Sequence, residues 1–207
     1  MQPALDDAVA ALAAGGLVVF PTESFYGLGA DALSDEAVSR LVDVRGREVG
    51  KPILVLLADA AMAAVVAREM PPAAHRLAAR FWPGPLTLVL PARAGLPAAL
   101  TAGGDTIGVR VSGHAAARAL PARLGRPVTA PSANPPGAAP PRRLEDARAY
   151  FASRVACYVE GGALPGGAST VAAVEAGGVR ILRPGPIDEA ALAAVLGDEL
   201  GDELGDE

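Results

Sequence analysis

The sequence predicts an α/β fold in which helices flank a twisted, mixed sheet. Three observations point there. Apolar runs of strand length, such as ILVLL at 53–57 and LTLVL at 86–90, alternate with alanine-rich segments whose larger apolar residues recur at three- and four-residue spacing. No internal repeat of roughly 20 to 50 residues underlies the alternation, which argues against a solenoid or propeller. Although 51% of the chain is hydrophobic, no apolar run reaches the roughly 18 to 20 residues that a membrane-spanning helix needs.

Leu5, Val9 and Leu12 set an amphipathic helix over residues 4–14, ended by Gly15 and Gly16. LVVF at 17–20 reads as a strand, and 21-PTESFYGLGADAL-33 as a loop leaving its C-terminal end. Ser34 is an N-cap, Asp35 and Glu36 suit the positive end of a helix dipole, and Val38, Leu41 and Val42 form the buried stripe up to Gly46. After 45-RGREVGKP-52 come the strand ILVLL, an alanine-rich helix from residue 59 and a second helix over 73–81. LTLVL and TIGVRV (106–111) are strands, and 115–124 is helical with a break expected at Pro121. PVTA at 127–130, VACYVE, STVAAV and GVRILR read as strands, and 188–196 as the last helix. One domain is expected over residues 1–196.

The run 197-GDELGDELGDE-207 holds six of the 23 acidic side chains and is expected to stay solvated as a mobile tail. The net charge of −5 therefore belongs to the tail, since the body sets 18 basic against 17 acidic side chains. A near-neutral body is unlike a dedicated nucleic-acid binder. Lys51 is the only lysine. The single cysteine, Cys157, excludes an internal disulfide and reads as a small buried residue. Residues 1–16 carry two aspartates and no basic residue, unlike a secretory or mitochondrial leader, so a cytoplasmic protein without a membrane anchor is expected.

Polar residues gather on three loops at strand ends, where ligands of open α/β sheets bind. The first is 21-PTES-24, with Thr22, Glu23 and Ser24; alone it reads better as an ordinary turn with capping hydroxyls than as a binding loop. The second, 45-RGREVGK-51, sets Arg45, Arg47 and Lys51 within seven residues, a pattern that suits polyphosphate or a solvated basic surface. The third is 129-TAPSANPPGAAPPRR-143, whose prolines stiffen the backbone around Ser132 and Asn134. On the 106–111 strand, alternation puts Thr106, Gly108 and Arg110 on one face, and an arginine there needs an anionic partner from the protein or a ligand. His75 and His114 read as surface or capping residues, and the motifs contain no Ser/His/Asp set, metal-ligand set or Walker-type loop.

In order and spacing, 21-PTESFYGLGADAL-33, 45-RGREVGKPI-53, 82-WPGPLTLVL-90, 106-TIGVRV-111, 131-PSAN-134, 169-STV-171 and 181-ILRPGPI-187 resemble the threonylcarbamoyl-AMP synthase family, the YrdC-like (TsaC-like) proteins. The resemblance implies an α/β fold with a twisted mixed sheet around a deep central cavity. It also implies an enzyme that makes threonylcarbamoyl adenylate and pyrophosphate from L-threonine, bicarbonate or carbon dioxide, and ATP with its accompanying Mg2+. Downstream proteins then transfer the threonylcarbamoyl group to ANN-decoding tRNAs, and tRNA itself is a further candidate partner. The family's Lys-x-Arg pair falls on Arg45 and Arg47, both implied as catalytic, with an arginine in the lysine's place. ATP contacts are implied for Arg45, Arg47, Lys51, Thr106, Ser132, Asn134 and Arg183, and threonine contacts for Thr22, Arg110 and Ser169. Two other readings stay open: a non-catalytic RNA-binding maturation factor, and a YrdC-like domain of the kind found in hydrogenase-maturation carbamoyltransferases, for which this chain is short.

Overall fold

The computed structural model describes residues 2–46, 51–175 and 178–197. Helix α1 (Gln2–Ala13) leads into strands β1 (Val18–Pro21) and β2 (Tyr26–Gly29), then helix α2 (Asp35–Arg45). Next come β3 (Val55–Leu56), α3 (Ala63–Val66), α4 (Pro72–Phe81), β4 (Leu86–Pro91), α5 (Ala98–Thr101) and β5 (Thr106–Arg110). The rest is α6 (Ala115–Leu124), β6 (Val128–Thr129), α7 (Leu144–Phe151), β7 (Cys157–Tyr158), β8 (Thr170–Glu175), β9 (Gly178–Arg183) and α8 (Glu189–Leu196).

The strands form two mixed sheets where the sequence suggested one. A six-stranded sheet runs β6-β3-β5-β4-β8-β9, and a three-stranded sheet runs β2-β1-β7. They are stitched together along β2 and residues 128–133. Single bridges join Gly27 to Ser132 and Asp31 to Val128, and Leu28 N–H donates to the Pro131 carbonyl at 2.9 Å while Ala133 N–H donates to that of Tyr26 at 2.8 Å. Thr129 Oγ1 adds a side-chain stitch by accepting from Ala30 N–H at 2.8 Å.

Alternation along β4 and β5 decides which face of the large sheet is core. Leu86, Leu88, Leu90, Ile107 and Val109 pack with α4 residues Leu77 and Ala78 and α8 residues Leu192 and Leu196 on one side. Thr87, Thr106, Gly108 and Arg110 therefore point to the other. The helix ends follow from local chemistry. Ser34 Oγ accepts from Ala37 N–H at 3.2 Å, a cap worth about 1 kcal/mol, and α2 stops at Gly46, whose φ of 85° is strained for other residues.

Several elements depart from the sequence reading. The segment read as a loop after β1 contains β2, which Gly27 and Gly29 disguise. A Cβ at Gly29 would stand 2.9 Å from the Phe20 ring, so ring packing rather than strand propensity chose glycine. Helix α7 was not anticipated: its N-cap position is Arg143 with no capping side-chain bond, although Leu144, Ala147 and Phe151 carry a buried stripe. Helix α6 runs through Pro121 to Gly125 without the expected break. The strand expected over 53–57 and the helix expected from residue 59 shorten to β3 and α3. Cys157 is half-buried rather than buried, with Sγ 3.8 Å from the Ala4 carbonyl oxygen. Of the acidic tail expected over 197–207, all but Gly197 lies outside the described residues. Among the described residues no helix is long and apolar enough to cross a membrane.

Candidate active site

Where the β1–β2 hairpin faces the polar side of the large sheet, a cavity of about 580 Å3 opens. That volume lies in the range of small-molecule sites. Its far wall consists of Thr87 and Val89 from β4, Thr106, Gly108 and Arg110 from β5, and Val171 from β8. The strand face predicted from alternation is thus the wall of the cavity.

Arg110 is the most constrained group in this wall. It is only 4% exposed, its Nη1 stands 3.7 Å from Glu23 Oε1, and its buried Nε has no hydrogen-bond partner. Burial pushes its pKa down; Glu23 opposes the shift and the charge of Arg183 adds to it. A guanidinium nitrogen removed from water without an acceptor is costly. An incoming carboxylate, with two oxygens for a guanidinium fork, would remove that cost. Burial likewise lowers the pKa of Arg183, at the end of β9.

Eight of the ten residues singled out from the sequence line this one cavity: Thr22, Arg45, Lys51, Thr106, Arg110, Ser132, Ser169 and Arg183. Arg45 closes α2 and donates from Nε to the Ser132 carbonyl at 3.1 Å, which locks the helix end to the Pro-rich loop. Thr22 is both wall and turn former. Its Oγ1 donates to the Phe25 carbonyl at 2.7 Å and accepts from Ser24 N–H at 3.1 Å. Ser169 is 3% exposed, and its hydroxyl lies 2.9 Å from Thr87 Oγ1.

Asn134 stands behind the wall rather than in it. Its Nδ2 donates to the carbonyls of Pro135 and Ala138 at 3.0 and 2.8 Å, tightening the loop, while its buried Oδ1 has no partner. Arg47 lies outside the described residues.

Sequence reasoning named Glu23 within the first loop without giving it a role, and did not single out Ser112, Thr87 or Leu182. Ser112 Oγ donates to Glu23 Oε2, and Gly113 N–H donates to Glu23 Oε1 at 3.2 Å. The partners are about ninety residues apart, so only the alternation that flagged Arg110, with its demand for a counter-charge, could have pointed to them. Leu182 is 45% exposed and forms part of the cavity lining. His114 is a cap, as read: its Nδ1 accepts from Ala116 N–H at 3.2 Å. His75 is exposed.

Among the described residues, the lining offers four cations and several hydroxyls, and no carboxylate or imidazole. Such a set binds and orients anions. It favours catalysis by alignment and charge stabilisation over covalent attack by a side chain.

A family model, Sua5_yciO_yrdC, described as "Telomere recombination", matches residues 10–185. The threonylcarbamoyl-AMP synthase of Pyrococcus abyssi (strain GE5 / Orsay) is 40% identical over 185 residues, which are 89% of this chain and 54% of that relative. That of Halorhodospira halophila (strain DSM 244 / SL1) is 36% identical over 154 residues, 74% of this chain and 81% of the relative. The crystal structure of P. abyssi Sua5 complexed with L-threonine superposes with a TM-score of 0.89 at 38% identity, over 95% of this chain and 58% of that one. The chain thus spans little more than half the length of the P. abyssi relative.

Proposed function

Because the chain belongs to the Sua5–YciO–YrdC family, we propose that it is an L-threonylcarbamoyladenylate synthase, joining L-threonine, bicarbonate or carbon dioxide, and ATP with release of pyrophosphate. The observation that carries this reading is Arg110: a buried guanidinium with an unpartnered Nε, in the wall of a cavity that also presents Arg45, Lys51 and Arg183. An amino acid's carboxylate completes Arg110, and the remaining cations suit a polyphosphate. The threonine complex of the P. abyssi relative supports the assignment.

In this reading threonine lies against Thr22, Arg110 and Ser169. ATP lies against Arg45, Arg47, Lys51, Thr106, Ser132 and Arg183, with Asn134 stiffening the loop that carries Ser132. The threonine amine captures carbon dioxide, forming the N–C bond of a carbamate and losing its proton to solvent. A carbamate oxygen then attacks the α-phosphorus, and the bond to pyrophosphate breaks. Two anions must approach each other. Arg45, Arg47 and Lys51 offset their repulsion, and the wall residues hold them in line. The enclosing cavity also slows hydrolysis of the mixed anhydride by limiting access of water.

Among the described residues no group of three or more His, Cys, Asp or Glu side chains could hold a metal ion. Mg2+ would then be carried by the triphosphate itself, and the hydroxyl of Ser132, in the cavity lining, would be a protein donor available to it. Bound there, the ion supplies charge neutralisation of the phosphates. The product passes to the proteins that modify ANN-decoding tRNAs, in the cytoplasm where ATP and tRNA meet.

The test is pyrophosphate release with ATP, magnesium and bicarbonate, with and without L-threonine, while labelled bicarbonate is followed into a nucleotide adduct. Threonine-dependent release with label in the adduct is the expected result. ATP binding without release, together with a salt-sensitive tRNA gel shift, would replace this reading with an RNA-binding factor.

A further inference from the structure

Arg110 is held by one residue that does not line the cavity. Glu23 sits on the β1–β2 turn, and its carboxylate is fixed by the 112–114 turn that follows β5. Ser112 Oγ and Gly113 N–H both donate to it. That turn is itself braced. His114 N–H donates to Ser112 Oγ at 3.1 Å, and Arg118 Nη1 donates to the carbonyls of Ser112 and Gly113, each at 2.8 Å. The position of the carboxylate is therefore set without help from Arg110.

Glu23 Oε1 stands 3.7 Å from Arg110 Nη1, beyond hydrogen-bond length but close enough for strong attraction in a buried setting. Nε is left without a partner. Arg183 repels the guanidinium, and burial disfavours its charge. Glu23 is the only carboxylate paired with Arg110 among the described residues. A counter-charge at one corner holds the guanidinium in the cavity wall.

We infer that Glu23 is a positioning residue: it orients Arg110 for the carboxylate of the amino-acid substrate and so sets the preference for a free amino acid over a neutral analogue. The inference rests on the reading that Arg110 receives the threonine carboxylate. Glu23→Gln is the cleanest change, because its amide oxygen can still accept from Gly113 N–H while the charge is lost. Glu23→Asp restores the charge, drawn back by one methylene.

The experiment is calorimetric binding of L-threonine and of L-threonine amide to the full chain, in parallel with an unreactive ATP analogue, for the wild type, Glu23→Gln and Glu23→Asp. The wild type is expected to prefer threonine over its amide. In Glu23→Gln that preference should shrink about tenfold, as expected when a coupled charge is removed, and Glu23→Asp should recover part of it. Affinity for the ATP analogue should be nearly unchanged, while the melting temperature should fall in Glu23→Gln, where a buried guanidinium loses its carboxylate, and recover in part in Glu23→Asp. An undiminished preference in Glu23→Gln, or equal weakening of both ligands, overturns the role of Glu23. If the wild type itself shows no preference for the carboxylate, the assignment of Arg110 fails, and the inference fails with it.

Discussion

Arg183 grips Ser169 through two of its nitrogens: Nε and Nη2 donate to the Ser169 carbonyl at 3.2 and 2.9 Å, and Nη2 also donates to the Ser169 hydroxyl at 3.1 Å. An arginine assigned to the nucleotide and a serine assigned to threonine are thus one mechanical unit. Arg183→Ala is therefore expected to raise the KM of both ATP and threonine, each on the order of tenfold, the scale of a lost hydrogen bond to a charged group. Ser169→Ala should raise that of threonine alone. Steady-state kinetics with each substrate varied in turn decides this; an Arg183→Ala defect confined to ATP would separate the two residues.

Gly108 marks the point where the wall leaves room for a ligand. A Cβ there would meet only Thr87 Cγ2, at an ordinary 3.5 Å, so anything larger must grow into the cavity. Gly108→Val should fold normally and may be assayed by circular dichroism, while pyrophosphate release drops by at least about tenfold through lost volume. Turnover near the wild-type rate would mean that substrates do not use this wall.

In the proposed reading, Arg110 is a buried charge kept for a ligand at a cost in stability. Replacing it with methionine removes a desolvated charge and leaves Glu23 with its bonds from Ser112 and Gly113, so the melting free energy should change by no more than about 1 kcal/mol. Threonine-dependent pyrophosphate release should nevertheless be lost. Retained threonine saturation in Arg110→Met would remove the central residue from the proposed site.

Alkaline stability should report on Tyr26. Burial is the main cause that raises its pKa from 10.0 to about 12, with Glu160 adding to the effect and the Gly161 N–H opposing it. Between those values the unfolded chain has lost the phenolic proton while the folded protein still holds it, so the unfolded state binds fewer protons and stability falls as pH rises. The contribution is complete below pH 10 and is lost on the way to about 12. Tyr26→Phe should flatten this part of the pH–stability curve. It should also cost about 1 kcal/mol at neutral pH for the bond from its hydroxyl to the Gly162 carbonyl at 2.9 Å. An unaltered alkaline slope in chemical denaturation would assign the slope to another group.

What was legible in the sequence is what local chemistry controls. The Ser34 cap and the two faces of β5 follow from neighbours within a few residues and appear as expected, and the α2 stripe keeps Val38 and Leu41 but takes Ala37 in place of the half-buried Val42. The loops bearing Thr22, Arg45 and Ser132 were legible as clusters and Ser169 only through the family resemblance, yet nothing local says that they converge. β2 was hidden because the reason for Gly27 and Gly29 is the ring of Phe20 on the adjacent strand. α7 was hidden because its start lacks a capping side chain. The Glu23 bonds to the 112–114 turn were out of reach for the same reason: the partner that gives the residue its meaning is a tertiary neighbour.

The stitch between β2 and residues 128–133 makes the cavity a joint as well as a container. Thr22 precedes β2 on one side of it, and Ser132, bridged to Gly27, lies on the other. A ligand touching both acts as a clasp across the seam, so occupancy and cohesion of the smaller sheet become one linked equilibrium. The amides of Leu28 and Ala133, which cross that seam, should then exchange with deuterium more slowly as the ligand saturates, in step with its concentration over its Kd.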